Sequence, residues 1–213
     1  MKKLILLFAS VALTLIGCFW PPVVPIGYIN LSNPTDEPVT VYSEYLNNSV
    51  AFQIDARSSC SVIVNQSSDE NSVRVMLYGP YYGGRAVILS NVASGYMKSY
   101  ELPPLYSRFR IDNETVSVFD NLYIADSYGN KAYMFYFRDN NYYAKSSDNR
   151  DYEVSSYNAK LRQGESGYIF VESSILRNPC KLYGIIGNMV LETDRYSLFQ
   201  AGNTVTMSAS ALH

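Results

Sequence analysis

The chain has 213 residues, with a formal net charge of −2, 20 Tyr, 9 Phe and 1 Trp, which is enough for one large domain or two small ones. Without residues 1–17, which hold Lys2 and Lys3 and no acid, 15 basic residues face 19 acidic ones, a net of −4. That balance argues against nucleic acid, whose phosphates need a basic face. The only His is His213, which argues against Ser-His and Cys-His nucleophilic centres and multi-His metal sites.

In chain order, Lys2 and Lys3 precede an apolar run, Leu4 to Ile16. That length suits a secretory h-region and is short for a bilayer span. The run ends in Leu15-Ile16-Gly17-Cys18, which resembles the lipobox of bacterial lipoproteins. The resemblance covers about 18 residues. It implies removal of the signal peptide 1–17, acyl chains such as palmitate on Cys18, and anchorage to an envelope membrane, which is stable with more than one chain. Phe19 follows the modified Cys where some inner-membrane lipoproteins carry Asp, so the outer membrane is expected if the organism has one. Residues 18–25 then form a short Pro-rich tether with Phe19 and Trp20 beside the lipid.

Beyond the tether the chain reads as strands. Val73, Val75 and Leu77 alternate with Arg74, Met76 and Tyr78; Phe109 and Ile111 alternate with Arg108, Arg110 and Asp112. Val205, Met207 and Ala209 alternate with Thr206, Ser208 and Ser210. Period two over such lengths predicts half-buried strands. Turn signals separate them at Asn33-Pro34, Asn47-Asn48, Gly83-Gly84, Asp139-Asn140-Asn141 and Gly202-Asn203. With no sustained helical period, the fold class is all-β: antiparallel β-sandwich, as two tandem immunoglobulin-like units at 26–102 and 105–213, joined through Pro103-Pro104. Tyr133 to Phe137 reads as a central buried strand, and Tyr81-Tyr82, beside turn residues, as exposed.

The two units also read as copies. Ile29 to Thr35 followed by Val39-Thr40-Val41-Tyr42 parallels Phe109 to Thr115 followed by Val116-Ser117-Val118-Phe119, and Ile54 to Val64 parallels Leu161 to Val171. The offset is 77 at Val39/Val116 and 107 at Ile54/Leu161, so the second copy holds about 30 extra residues. These include a polar loop near 139–158. Within it Tyr142, Tyr143, Tyr152 and Tyr157 are the candidate binding residues, because Tyr gives contact area at low entropic cost among adaptable amides.

Other chemistry is thin. Neither a Gly-x-Ser-x-Gly elbow nor a phosphate-binding glycine loop is present. The Asx-rich run at 139–151 lacks EF-hand spacing and reads as turns. No enzyme, cofactor or metal site is expected. Cys60 and Cys180 remain for either a disulfide or two buried thiols. In an oxidising compartment the disulfide is the expectation, worth roughly 4–5 kcal/mol in the chain-entropy model for a loop of this size. The functional expectation is a membrane-anchored, non-enzymatic binding or structural protein with a partner in the envelope, or alternatively a carbohydrate-binding protein using the loop tyrosines.

Overall fold

The computed structural model describes residues 27–65, 72–90, 92 and 97–213; the signal segment, Cys18 and the tether with Phe19 and Trp20 lie outside them. The strands are β1 (Gly27–Ser32), β2 (Val39–Tyr42), β3 (Phe52–Ile54), β4 (Ser59–Val64), β5 (Ser72–Tyr78), β6 (Arg85–Ser90) and β7 (Lys98–Glu101). They continue as β8 (Tyr106–Asp112), β9 (Asn121–Asp126), β10 (Lys131–Tyr133), β11 (Phe135–Arg138), β12 (Asn141–Lys145), β13 (Asp151–Val154) and β14 (Ser166–Glu172). A one-turn helix α1 (Ser173–Leu176) leads into β15 (Cys180–Ile186), β16 (Met189–Glu192) and β17 (Thr204–Ser208).

The chain is all-β, and its sheets fall into two sets of the same design. In the first, β4-β1-β7 faces β3-β2-β5-β6; in the second, β14-β8-β17 faces β10-β9-β15-β16. The central strand of the three-stranded sheet pairs antiparallel with one neighbour and parallel with the other in both cases, β1 with β4 and β7, β8 with β14 and β17. Each set encloses its own core. Leu31, Val41, Val75 and Leu77 are fully buried in the first, and Phe109, Ile111, Leu122 and Ile169 in the second. Period-two alternation does this work: Val73, Val75 and Leu77 point inward while Arg74 and Tyr78 face out, as the sequence pattern predicts.

A repeated Asn-x-Thr corner ends β1 and β8. Asn33 Oδ1 accepts the Thr35 N–H at 3.1 Å and the Thr35 hydroxyl at 2.8 Å, while its amide donates to Glu37 O and Ile54 O. Asn113 repeats this with the Thr115 N–H and hydroxyl, Ser117 O and Leu161 O. An Asx side chain here replaces the strand ladder where the chain turns, which is why a buried amide is tolerated. The corner corrects the alignment by three residues. Val39 pairs with Ile54, whereas Phe119 bridges Leu161, so Phe119, not Val116, stands where Val39 does. Val39 is fully buried and Val116 is 85% exposed. The offset is therefore 80 at Asn33/Asn113 and 107 at Ile54/Leu161, leaving 27 extra residues in the second copy.

A polar junction ties the two sets together. The Asp36 carboxylate accepts the Tyr81 hydroxyl and the Thr204 N–H. Arg108 reaches from β8 to Glu37 and the Thr204 hydroxyl, with its guanidinium over the Tyr81 ring. Tyr81 O takes the N–H groups of Leu105 and Tyr106 at 2.8 and 3.0 Å. Tyr81 and Tyr82 are therefore fully buried, contrary to the exposed reading: their turn lies under the second unit, and every hydroxyl finds a partner. Gly202 sits at a close approach between the units. A Cβ there would lie 2.9 Å from the Thr35 methyl, and its φ of +83° suits glycine.

Candidate functional site

The second unit departs from the first in one place. The chain that should continue beside β9 leaves it after Met134, whose N–H bonds Leu122 O, and returns only at Leu161. Between these points lies the three-stranded sheet β11-β12-β13. The polar segment 139–158 thus carries two strands, β12 and β13, joined and followed by turns. Asp139 and Asn140, with φ of +51° and +65°, make the two-residue turn of a hairpin, where Asx residues tolerate the left-handed region. Nor is Tyr133 to Phe137 one central strand. It is the exit from β10 into β11: Met134 and Phe135 are buried, while Tyr133 and Phe137 are exposed. An unbroken aromatic run does not reveal where the chain changes sheets.

Pairing register divides the candidate tyrosines between two faces. Phe135↔Ala144↔Tyr152 and Phe137↔Tyr142↔Val154 share one side, on which Ala144 is buried against the second core. Tyr136↔Tyr143↔Glu153 share the other. Tyr157 follows β13, three-quarters exposed, with Arg162 over its ring at 4.9 Å. The sheet thus brings Tyr142 and Tyr152 to one face and leaves Tyr143 and Tyr157 elsewhere. Beneath that first face lies a cleft of about 410 Å³, floored by Met134, Phe135 and Leu161 and edged by Tyr152, Lys145 and Arg162.

On the opposite face Asp151 is a hub. It pairs with Lys145 at 2.6 Å and Arg138 at 3.4 Å and bonds the Tyr136 hydroxyl. Burial alone raises this carboxyl, but the Lys145 and Tyr136 bonds and the nearby charges outweigh it and hold it below the usual range. The rings there are already engaged. Tyr136 stacks on Tyr143 with centroids 5.8 Å apart, and Arg138 covers Tyr143 at 4.6 Å. A second aromatic row, Tyr133↔Tyr123↔Tyr183, runs in register across the outer face of β10, β9 and β15. Tyr123 and Tyr183 stack at 4.9 Å, nearly parallel, so the two rings turn these faces toward each other and offer no flat platform there.

The expected disulfide is not formed. Cys60 and Cys180 are both free, one in each unit. Cys60 lies on β4 opposite Leu31, and Cys180 lies on β15 opposite Asp126 inside the second core. The Cys180 thiol donates to Asn178 O, and burial, then the Asp126 charge, pushes its pKa up to about 11. Among the described residues, no three His, Cys, Asp or Glu side chains gather as metal ligands, and no helix is long and apolar enough to cross a membrane.

No family model and no curated protein matches the chain. Among solved structures it is similar to the Bacillus anthracis TIE protein, with 6% identity and a TM-score of 0.27 over 86% of this chain and 33% of that one. It is similar at 10% identity and 0.27 to a putative cell adhesion protein from Bacteroides ovatus, covering 87% and 94% of the two chains. A shaft pilin from Lactobacillus rhamnosus matches at 9% and 0.25, covering 85% and 97%. The chain spans about a third of the length of the first of these.

Proposed function

We propose that this chain is a lipid-anchored, non-enzymatic protein of the cell envelope that binds a protein partner through the inserted sheet. The single observation that carries the binding reading is the face bearing Phe137, Tyr142 and Tyr152, which are 60%, 38% and 49% exposed, above an apolar-floored cleft. β13 closes its sheet with no strand beyond it among the described residues. An apolar patch beside a free sheet edge is suited to an added peptide strand. The anchor reading rests on Lys2, Lys3, the apolar run and the lipobox at Cys18, and β1 begins nine residues after that Cys, so the folded body stands close to the membrane. Phe19 in place of Asp favours the outer membrane over the inner where the organism has one.

Two experiments test this. Mass spectrometry of the mature N-terminus should find an acylated Cys18 and no residues 1–17; a mature chain beginning elsewhere removes the anchor. Photo-crosslinking from position 137, on the same face, in intact cells should trap one discrete partner, lost on Tyr142→Ser with Tyr152→Ser. Partner capture that survives the double substitution removes the site.

A further inference from the structure

We propose that the cleft at the junction of the two units is a second binding site, for a neutral oligosaccharide. It uses none of the residues of the cleft under the inserted sheet, so it goes beyond the protein partner argued above.

One wall is a cross-strand row. Gln53 pairs with Thr40 and Thr40 with Tyr78 in register, while their neighbours Val39, Val41, Ile54 and Leu77 point into the core. The row therefore lies on the outer face of β3-β2-β5, an amide, a hydroxyl and a phenol set about 5 Å apart by strand spacing. The other wall is the β12–β13 turn with Asp148 and Arg150. This turn is fixed to the first unit by Asn149, whose Nδ2 donates to Pro80 O at 2.9 Å, and to β8 by Arg108, which donates to Ser147 O at 2.9 Å. The base is glycine: Gly84 lies against the Tyr78 ring, and Gly83 lies where a Cβ would meet Tyr106 at 3.1 Å. The cleft between these walls holds about 550 Å³, within the range of small-ligand sites, and clefts between domains are a preferred place for them.

What sets this cleft apart is unused hydrogen-bonding capacity. Arg138, Lys145, Asp151, Arg162 and Glu165 on and beside the insertion all have ion-pair partners, and Tyr136 and Tyr143 have ring partners. The side chains of Gln53, Thr40, Asp148 and Arg150 bond to nothing within the chain among the described residues, and Tyr78, 46% exposed, stacks on no other ring. An amide offers a donor and an acceptor, a carboxylate accepts twice, and a guanidinium donates twice along one edge. Adjacent hydroxyls of a sugar ring match all three, and its C–H face matches the Tyr78 ring. One acid against one guanidinium leaves the cleft neutral, which selects against phosphate and other anions. A peptide strand is disfavoured because the row lies on a sheet face, where the backbones of β2 and β5 are already paired on both sides.

The test uses the full acylated chain in a detergent without a sugar headgroup, on an array of neutral and acidic glycans, followed by calorimetric titration with chitotriose, maltotriose, mannotriose and sialyllactose. Saturable binding of neutral glycans is expected, weakened about tenfold or more by Tyr78→Ala and by Arg150→Ala, with Gln53→Ala as a third exposed variant. Tyr152→Ser should leave it unchanged, which separates this site from the protein-binding face. Far-UV circular dichroism confirms that each variant is folded. No glycan binding, binding of acidic glycans alone, or neutral binding untouched by all three folded variants overturns the proposal.

Discussion

Replacing Asn33 by Ala removes the side chain that organises the first corner, and the comparison with Asn113→Ala makes the test internal. Asn33 is 1% exposed and makes six hydrogen bonds. Its two amide hydrogens are shared among Glu37 O, Ile54 O and Asp55 O, while Oδ1 accepts from the Thr35 N–H, the Thr35 hydroxyl and the Tyr82 hydroxyl. Some partners keep a second bond: Thr35 Oγ1 still reaches Glu37 O, and Tyr82 still reaches Leu102 O. Three or four groups are left orphaned in a dry site, each costing about 1 kcal/mol net, so Asn33→Ala should lose about 3–4 kcal/mol. Asn113, equally buried, makes four bonds with one fewer partner on each side of the amide and should lose about 2–3 kcal/mol. Urea titration followed by circular dichroism measures both, with the slope m checked for constancy so that the midpoint reports stability. Losses under about 0.5 kcal/mol for both, or a larger loss at Asn113, would refute the claim that these amides replace the ladder at the turn.

Asp36 gives a pH dependence. Burial pulls its carboxyl upward, but the Tyr81 hydroxyl, the Thr204 N–H and hydroxyl and the Arg108 charge hold it below its ordinary value. A depressed carboxyl stabilises fully above its unfolded pKa of about 3.9, and that contribution fades as pH falls through the lower folded value; Asp36→Asn should flatten the loss of urea stability as pH falls below about 4. The thiols should be distinguishable by alkylation rate: half-exposed Cys60 should react well before Cys180, which is buried with its pKa raised to about 11, and non-reducing peptide mapping should find no link between them. Cutting 136–158 back to a turn should cost about 2–4 kcal/mol, because Ala144 and Val154 pack on the second core and two junction bonds are lost. A free recognition loop would cost almost nothing, so a fully stable deletion variant would show that the insertion is not part of the body.

The strands that period two identifies are those with one dry face: β5 and β8 alternate as Val73, Val75, Leu77 and Phe109, Ile111 do, and both are where the pattern puts them. The Asn-x-Thr spacing carried the near side of the corner as well, since the Asn33 bonds to Thr35 and Glu37 lie within five residues. The three-residue slip at Val39 came from matching Val-x-Val to Val-x-Val, although Val116 and Val118 are exposed. Side-chain type does not encode burial when a turn residue happens to be apolar. Tyr81-Tyr82 failed for a related reason. A turn beside glycines is normally wet, and only the docking of a second unit dries it, which no local window contains. The partition of Tyr142 from Tyr143 is the one part of the site that alternation alone supplies, since neighbours on a strand face opposite ways. The junction cleft was illegible: Gln53, Thr40 and Tyr78 belong to three strands, and Asp148 and Arg150 to an insertion about 70 residues further on.

The insertion connects these observations. It interrupts the strand beside β9, a place where backbone groups would be left open, and Asn121 fills that gap by donating to Phe135 O and accepting the Phe135 N–H. Having left the sheet, the insertion closes its own hairpins, buries Ala144, and then crosses to Pro80 of the first unit through Asn149. Arg108 completes the same link from β8, holding Glu37, Thr204 and Ser147 O at once. Removing that guanidinium would release the corner, β17 and the insertion together, and would leave Glu37 without its ion pair. Arg108→Met keeps the apolar stem and loses the guanidinium's own ties while the Asp36–Thr204, Tyr81–Leu105 and Asn149–Pro80 bonds remain, so it should loosen the junction without disturbing either core. The expected result is faster proteolysis at 102–105 and at 146–150, with little change in circular dichroism. If both segments stay as protected as in the unsubstituted chain, the remaining bonds of Asp36, Tyr81 and Asn149, with the close contacts of Pro104 and Gly202, hold the junction without the guanidinium.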